Sequence, residues 1–466
     1  MRAAAGGDAG ERRVRLNATS DRLSRWTPAM FAAALFNFGC GLSLAVLGLA
    51  WPAAPATAPV SLAMVHLLTI GWLTLLMFGA LFQFVPVITS RKLPSQALPL
   101  ATLVGIESGL ALMVGGFGAL GRWPGVGLLL PVGGGLVIVA LVVGAATLLV
   151  PLLAKRPVPL SARFVLAGLG FLLFTILLGL GFALALTAPA AGPALAPLLA
   201  GGVAWHALAG LGGWFTLTAI GVSYELLPMF MLAPHERGAL GAAVLWVGVG
   251  SLGVALAAGL ATIVWPGGWS AALEQAGRLG LVLALGLYLA DVVRLYRSRR
   301  RRQIELHNRA AIGAFVALGL AALFAVVAVA TDRLAALAPS LVLLVLLGWL
   351  SGLGLTQLYK IVAFLSWLSR YGGRLGRGPV PRVQDLVNEP RSVGFFVLYF
   401  ASVAVAAGAA AFGLADVVRA ALACVLLAVL LLAREYVRAW RAVYARTAPA
   451  AVPRSPTDPG PEGIRR

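Results

Sequence analysis

Residues 71–86 read GWLTLLMFGALFQFVP, and the pattern returns at 213–228 as GWFTLTAIGVSYELLP and at 348–363 as GWLSGLGLTQLYKIVA. At about 100° per residue on an α-helix, the Trp, the small residue seven later, the polar residue eleven later and the Pro or Ala fourteen later fall within about 60° of one another. Each copy therefore carries one stripe: Trp72, Gly79, Gln83 and Pro86; Trp214, Gly221, Glu225 and Pro228; Trp349, Thr356, Lys360 and Ala363. An aromatic, Phe82, Tyr224 or Tyr359, precedes the polar position each time. Ordinary packing of similar helices, with Trp at lipid interfaces and Gly at close approaches, explains a stripe but not its regular placement along the chain.

Outward from these copies the chain is almost wholly apolar. Of 466 residues, 60% are apolar and 11% charged, whereas a soluble domain carries about 25% charged residues; a water-soluble fold is excluded. A hydrocarbon core of about 30 Å takes roughly 20 helical residues to cross. Such runs lie near 29–50, 58–88, 97–120, 124–152, 163–189, 198–232, 239–264, 271–295, 309–331, 338–368, 391–414 and 417–445, which makes twelve. The sequence thus predicts an all-α polytopic membrane protein. The run at 198–232 is long enough to hold a kink or a tilt. Because the copies fall in the second, sixth and tenth spans, we expect three pseudo-threefold four-helix repeats at 29–156, 157–300 and 301–446. A tail at 1–28 precedes them, and a Pro-rich tail from 447 is expected to be disordered.

The net charge of +20 raises the question of nucleic acid, which the distribution of Lys and Arg answers. The tail up to Arg25, Arg91 with Lys92, Lys155 to Arg163, Arg237, Arg294 to Arg309, Arg370 to Arg391 and Arg434 to Arg466 occupy alternate connections. The connections between them hold only Arg122, Arg278, Arg333 and Arg419. Positive charge marks the cytoplasmic side, so both termini are expected in the cytoplasm of a bacterial-type cell membrane. The lipid bilayer is the expected partner, the cluster Arg299 to Arg302 being an anchor beside anionic lipid rather than a nucleic-acid patch.

The first 28 residues have no cleavable apolar core, so insertion is expected through the first helix itself. Cys40 and Cys424 fall inside spans without a CxxC, which suggests buried, reduced thiols. The aqueous connections show no phosphate loop, dinucleotide fingerprint, zinc-protease helix or Ser-His-Asp arrangement.

Twelve spans in three four-helix arcs, with the second, sixth and tenth equivalent, resemble the catalytic subunit of the heme-copper oxidase superfamily over the whole length. The closest local likeness is to C-type oxidases: His206, Thr216, Gly221, Tyr224 and Pro228 follow the order of their sixth helix, with the His displaced by two residues. The resemblance implies a low-spin heme ligand at His66 and a copper ligand near His206. The sequence is also similar to degenerate relatives of the NnrS type, which respond to nitric oxide. The oxidases need six intramembrane His, and this chain has four in all. His235 and His307 fall in the expected connections, Leu343 stands where His66 has its third equivalent, and spans seven and ten have no His. A three-His copper site with a bis-His heme cannot be assembled, and oxygen reduction by the family mechanism is not expected.

Chemistry that remains is concentrated on a few residues. His66 and His206 enter at similar depth in the outer half and are candidates to ligate heme b or copper, together if they face one space or separately if they do not. Each would otherwise cap a carbonyl or pack at the interface, and the protein would then hold no cofactor. Gln83, Glu225 and Lys360 share one stripe position, and a Glu225–Lys360 ion pair follows if those helices touch. Glu107, near the middle of span three, is the better candidate for a proton relay, unless a neighbouring helix takes it in a hydrogen bond; Asn37 in span one is a weaker case.

Three functions follow. The first is a non-oxidase relative of the heme-copper subunit, serving respiration or nitric-oxide stress, with other respiratory membrane proteins as partners. The second is a proton-coupled or small-solute transporter on the same scaffold, and the third a cofactor-free assembly subunit.

Overall fold

The structure is a computed structural model, and it describes residues 25–120, 128–187, 192–234, 238–265, 267–375 and 378–445. Among these residues twelve helices are long and apolar enough to cross a membrane. They are α1 (Thr27–Val46), α2 (Pro59–Thr89), α3 (Ala97–Ala119), α4 (Leu129–Ala154), α5 (Leu160–Thr187) and α6 (Val203–Met231), then α7 (Gly238–Val264), α8 (Gly268–Arg297), α9 (Leu306–Ala330), α10 (Leu334–Arg374), α11 (Glu389–Ala411) and α12 (Ala415–Arg441). No strand occurs among the described residues. The chain is an all-α multi-pass membrane protein, as expected where only a helix satisfies every backbone polar group inside hydrocarbon. His235 and the Pro-rich tail lie outside the described residues.

Each helix occupies one of the apolar runs read from the sequence. The long run at 198–232 is broken, as its length allowed: a short helix Gly192–Gly201 ends at a Gly pair, and α6 begins at Val203. Two readings are corrected. His307 is not in a connection but is the second residue of α9 and is 1% exposed. Cys424 is exposed on α12 rather than buried, because it falls on the face that α12 turns away from its neighbours.

Proline decides where two of the repeated helices stop. It lacks an N–H for the carbonyl one turn back, and its ring crowds that carbonyl. After Pro86, α2 runs only to Thr89 and is capped by Ser90 at φ 55°; after Pro228, α6 runs only to Met231 and is capped by Leu232 at φ 52°. The third copy has Ala363 in that place, and the α-helix continues to Tyr371.

Inside the same three helices the winding widens. Leu67–Thr74, Ala209–Leu217 and Leu344–Ser351 are π-helical, and each contains the Gly-Trp pair of its copy. A π turn bonds to the carbonyl five residues back, is rare, and is found mostly as single turns at functional positions. Ser351 Oγ makes a bond of the same span, donating to Leu346 O at 2.7 Å. The stripe angles drawn for a regular α-helix therefore do not hold through the Trp positions. Trp72, Trp214 and Trp349 are among the largest fully buried side chains.

The helices are brought close by small residues, as packing in lipid requires. Between α3 and α4, a Cβ on Gly133 would lie 2.6 Å from Gly109 O and 2.6 Å from Met113 N, and one on Gly116 would lie 2.6 Å from Leu130 N. Between α7 and α8, a Cβ on Gly277 would lie 2.7 Å from Ala255 N. These neighbours are backbone and cannot rotate away. Gly133→Val is expected to cost about 3 kcal/mol through overpacking, whereas Gly134→Val, which would meet open space, should be nearly silent. Thermal unfolding of the detergent-solubilised variants checks this; equal midpoints would refute the close approach.

Candidate functional site

His66 ends the first α-helical stretch of α2, immediately before its π segment, and His206 lies in the first turns of α6, three residues before its own. His66 Nδ1 is 2.7 Å from Leu62 O, and His206 Nδ1 is 3.1 Å from Thr175 O on α5. A carbonyl only accepts, so in a neutral ring Nδ1 carries the hydrogen and Nε2 keeps its lone pair; the tautomer is assigned from this geometry. Neither Nε2 has a hydrogen-bond partner among the described residues. The His66 ring packs 5.2 Å from Phe117 and the His206 ring edge-on 5.5 Å from Phe182.

Each ring thus caps a carbonyl, the alternative to ligation read from the sequence, and the same contact is compatible with a metal-ligating imidazole. An N–H held by a backbone carbonyl fixes the tautomer and the ring, and the opposite nitrogen is presented for coordination. Among the described residues no three His, Cys, Asp or Glu side chains converge as a metal site, so the two imidazoles are the donor set available. Neutral imidazole is a donor of the kind that heme iron and copper take.

Below the His pair, the buried indoles link the helices. Trp72 Nε1 donates to Ser351 Oγ at 2.8 Å, and Trp214 Nε1 donates to Thr74 Oγ1 at 3.3 Å. In both, the acceptor is the hydroxyl two residues after the Trp of another copy. The corresponding third link, Trp349 to Thr216, is not made. Trp349 Nε1 is buried without a partner, with Phe315 and Tyr288 packed 5.5 and 5.8 Å from its ring. A buried donor left unmade costs about 1–3 kcal/mol. Trp72→Phe is therefore expected to destabilise more than Trp349→Phe, by about 1 kcal/mol or more; equal losses in detergent unfolding would overturn the distinction.

The polar stripe residues are half-buried in all three copies, yet they do not pair with one another. Gln83 Nε2 donates to Thr27 Oγ1 at 2.8 Å, and Ser161 Oγ donates to Glu225 Oε2 at 3.2 Å. The expected Glu225–Lys360 ion pair gives way to a different one: Lys360 Nζ lies 2.5 Å from Glu305 Oε2. Glu305 also binds Arg301 and lies 3.5 Å from His307 Nδ1. In each case the partner stands at the start of the helix that precedes the stripe helix in the chain, because that helix packs directly along the stripe. Burial by itself raises the Glu305 carboxyl, but Lys360, His307 and Arg301 together hold it below the usual carboxylate range.

Glu107 is not isolated in mid-membrane. Asn37 Nδ2 donates to its Oε1 at 2.7 Å and approaches Gly71 O at 3.4 Å. The two polar residues singled out in spans one and three are thus one contact, placed against the π segment of α2.

Sequence reasoning missed a second polar group. Asp291 of α8 and His307 and Asn308 of α9 are each 1% exposed. Neither Asp291 oxygen, nor His307 Nε2, nor Asn308 Oδ1 has a hydrogen-bond partner. Tyr296 Oη donates to Asn308 O at 2.7 Å, and the hydroxyls of Tyr288 and Ser223 are 2.7 Å apart. The signal was present: Asp291 is an acidic residue inside the apolar run 271–295, and such residues are functional candidates by default.

No protein-family model matches the chain, and no curated protein matches its sequence.

Proposed function

We propose that this protein is a non-oxidase relative of the heme-copper oxidase catalytic subunit that binds a b-type heme or a copper ion through His66, with His206 as the second candidate ligand, and serves respiration or the response to nitric oxide. The observation that carries this reading is the pair of imidazoles on α2 and α6, each with Nδ1 facing a carbonyl and each with Nε2 unpartnered among the described residues. The π segments, which recur at matching places in α2, α6 and α10, favour a threefold plan, as do the matching indole links made by Trp72 and Trp214. A heme or copper ion bound there would supply one-electron chemistry. The chain's own part is to fix the rings, through the carbonyls of Leu62 and Thr175, and to wall them with Phe117 and Phe182.

The absorption spectrum and metal content of the purified protein from heme-replete cells test this directly. A Soret band or near-stoichiometric copper supports it; a colourless, metal-free preparation ends it.

A second reading, a proton-coupled carrier, is favoured by one observation. Asp291, His307 and Asn308 are fully buried with unpartnered polar atoms, and such groups inside a membrane line proton or ion paths. Loss of transport in Asp291→Asn with an unchanged spectrum would support that reading.

A further inference from the structure

At its arginine-rich end α8 presents an open face lined by Ala290, Val293, Arg294, Arg297 and Ser298, all of them exposed. The lining residues are three and four apart in sequence and so share one helix face. Toward the membrane interior the same face continues through Gly286, Leu283 and Leu279, with Leu283 56% and Leu279 52% exposed. A Cβ on Gly286 would meet nothing within 4 Å, so the track is open there. At the other end the Arg294 and Arg297 side chains are exposed, and neither has an ion pair or hydrogen bond among the described residues. The nearby acidic groups are not available to them. Asp291 is buried and faces inward, and Glu305 is taken by Arg301 and Lys360.

An apolar track ending in two uncompensated guanidinium groups complements one kind of molecule. A neutral lipid has no use for the arginines, and a soluble polyanion has none for the track. We propose that this face of α8 binds a single anionic phospholipid, its phosphate gripped between Arg294 and Arg297 and its acyl chains along Gly286, Leu283 and Leu279. Guanidinium suits that head group because its fork of donors matches phosphate oxygens two at a time.

The test is native mass spectrometry of the full chain in a neutral detergent, titrated with palmitoyl-oleoyl phosphatidylglycerol and, separately, with phosphatidylcholine of the same chains. One phosphatidylglycerol is expected to be retained in preference to phosphatidylcholine. Arg294→Gln/Arg297→Gln should bind it about thirtyfold more weakly. Arg374→Gln/Arg434→Gln, which removes the same charge elsewhere on the arginine-rich side, should bind as the wild type does. Equal retention of the two lipids, an unaffected Arg294/Arg297 variant, or an equal loss in the Arg374/Arg434 control would each overturn the proposal; the last would mean that net charge alone attracts the lipid.

Discussion

His66→Leu is expected to strip the purified protein of its Soret band or its copper while leaving it folded. Leucine is the informative replacement because the third copy already carries Leu343 in the matching position, buried at the same point before a π segment. The substitution removes a ligand and spares the packing, so the unfolding midpoint should move little. His206→Leu should have the same effect if both rings coordinate one centre. Disturbing only the carbonyl that orients a ring costs about 10–100-fold in affinity, and losing the ring itself costs more. Full retention of the chromophore or metal in both variants, with the wild type loaded, would move the site elsewhere.

Glu305→Gln should be the most destabilising of the polar substitutions. It strands Lys360 and Arg301, whose shared counter-ion is this one carboxylate, and breaking a largely buried pair from one side costs about 3 kcal/mol. Lys360→Met should cost less, because Arg301 still partners Glu305. The double variant Glu305→Gln/Lys360→Met should recover part of the loss, and strict additivity would argue against the pair. The pH dependence has a definite sign. Glu305 titrates lower when folded than when unfolded, so its contribution is complete above the ordinary glutamate value of about 4.3. It is lost as pH falls through the lower folded value. Acidification to that range should therefore lower the wild-type midpoint more than that of Glu305→Gln.

The candidate site was legible in part. The family likeness and a shared depth singled out both His66 and His206, but nothing along the chain said which carbonyl would hold each ring. For His206 that depends on Thr175 of α5 being at hand to hold the ring. Glu107 and Asn37 were each noticed, yet their pairing joins helices 70 residues apart. Asp291 and His307 were passed over for opposite reasons: Asp291 was lost within an apolar run, and His307 beside the Arg cluster looked like part of a connection.

By itself the sequence determined the class of fold, the twelve crossings and the helix stops after Pro86 and Pro228. These are local consequences of composition and of proline's missing N–H, and hydrocarbon leaves the backbone no choice but the helix. Only the tertiary structure decided the π winding around each Gly-Trp pair, the choice of Glu305 over Glu225 as the partner of Lys360, and the one indole of three left without an acceptor. Those outcomes turn on which helices touch and at what height. Contacts between small residues far apart in the chain set that geometry, and no periodicity along a single helix records it.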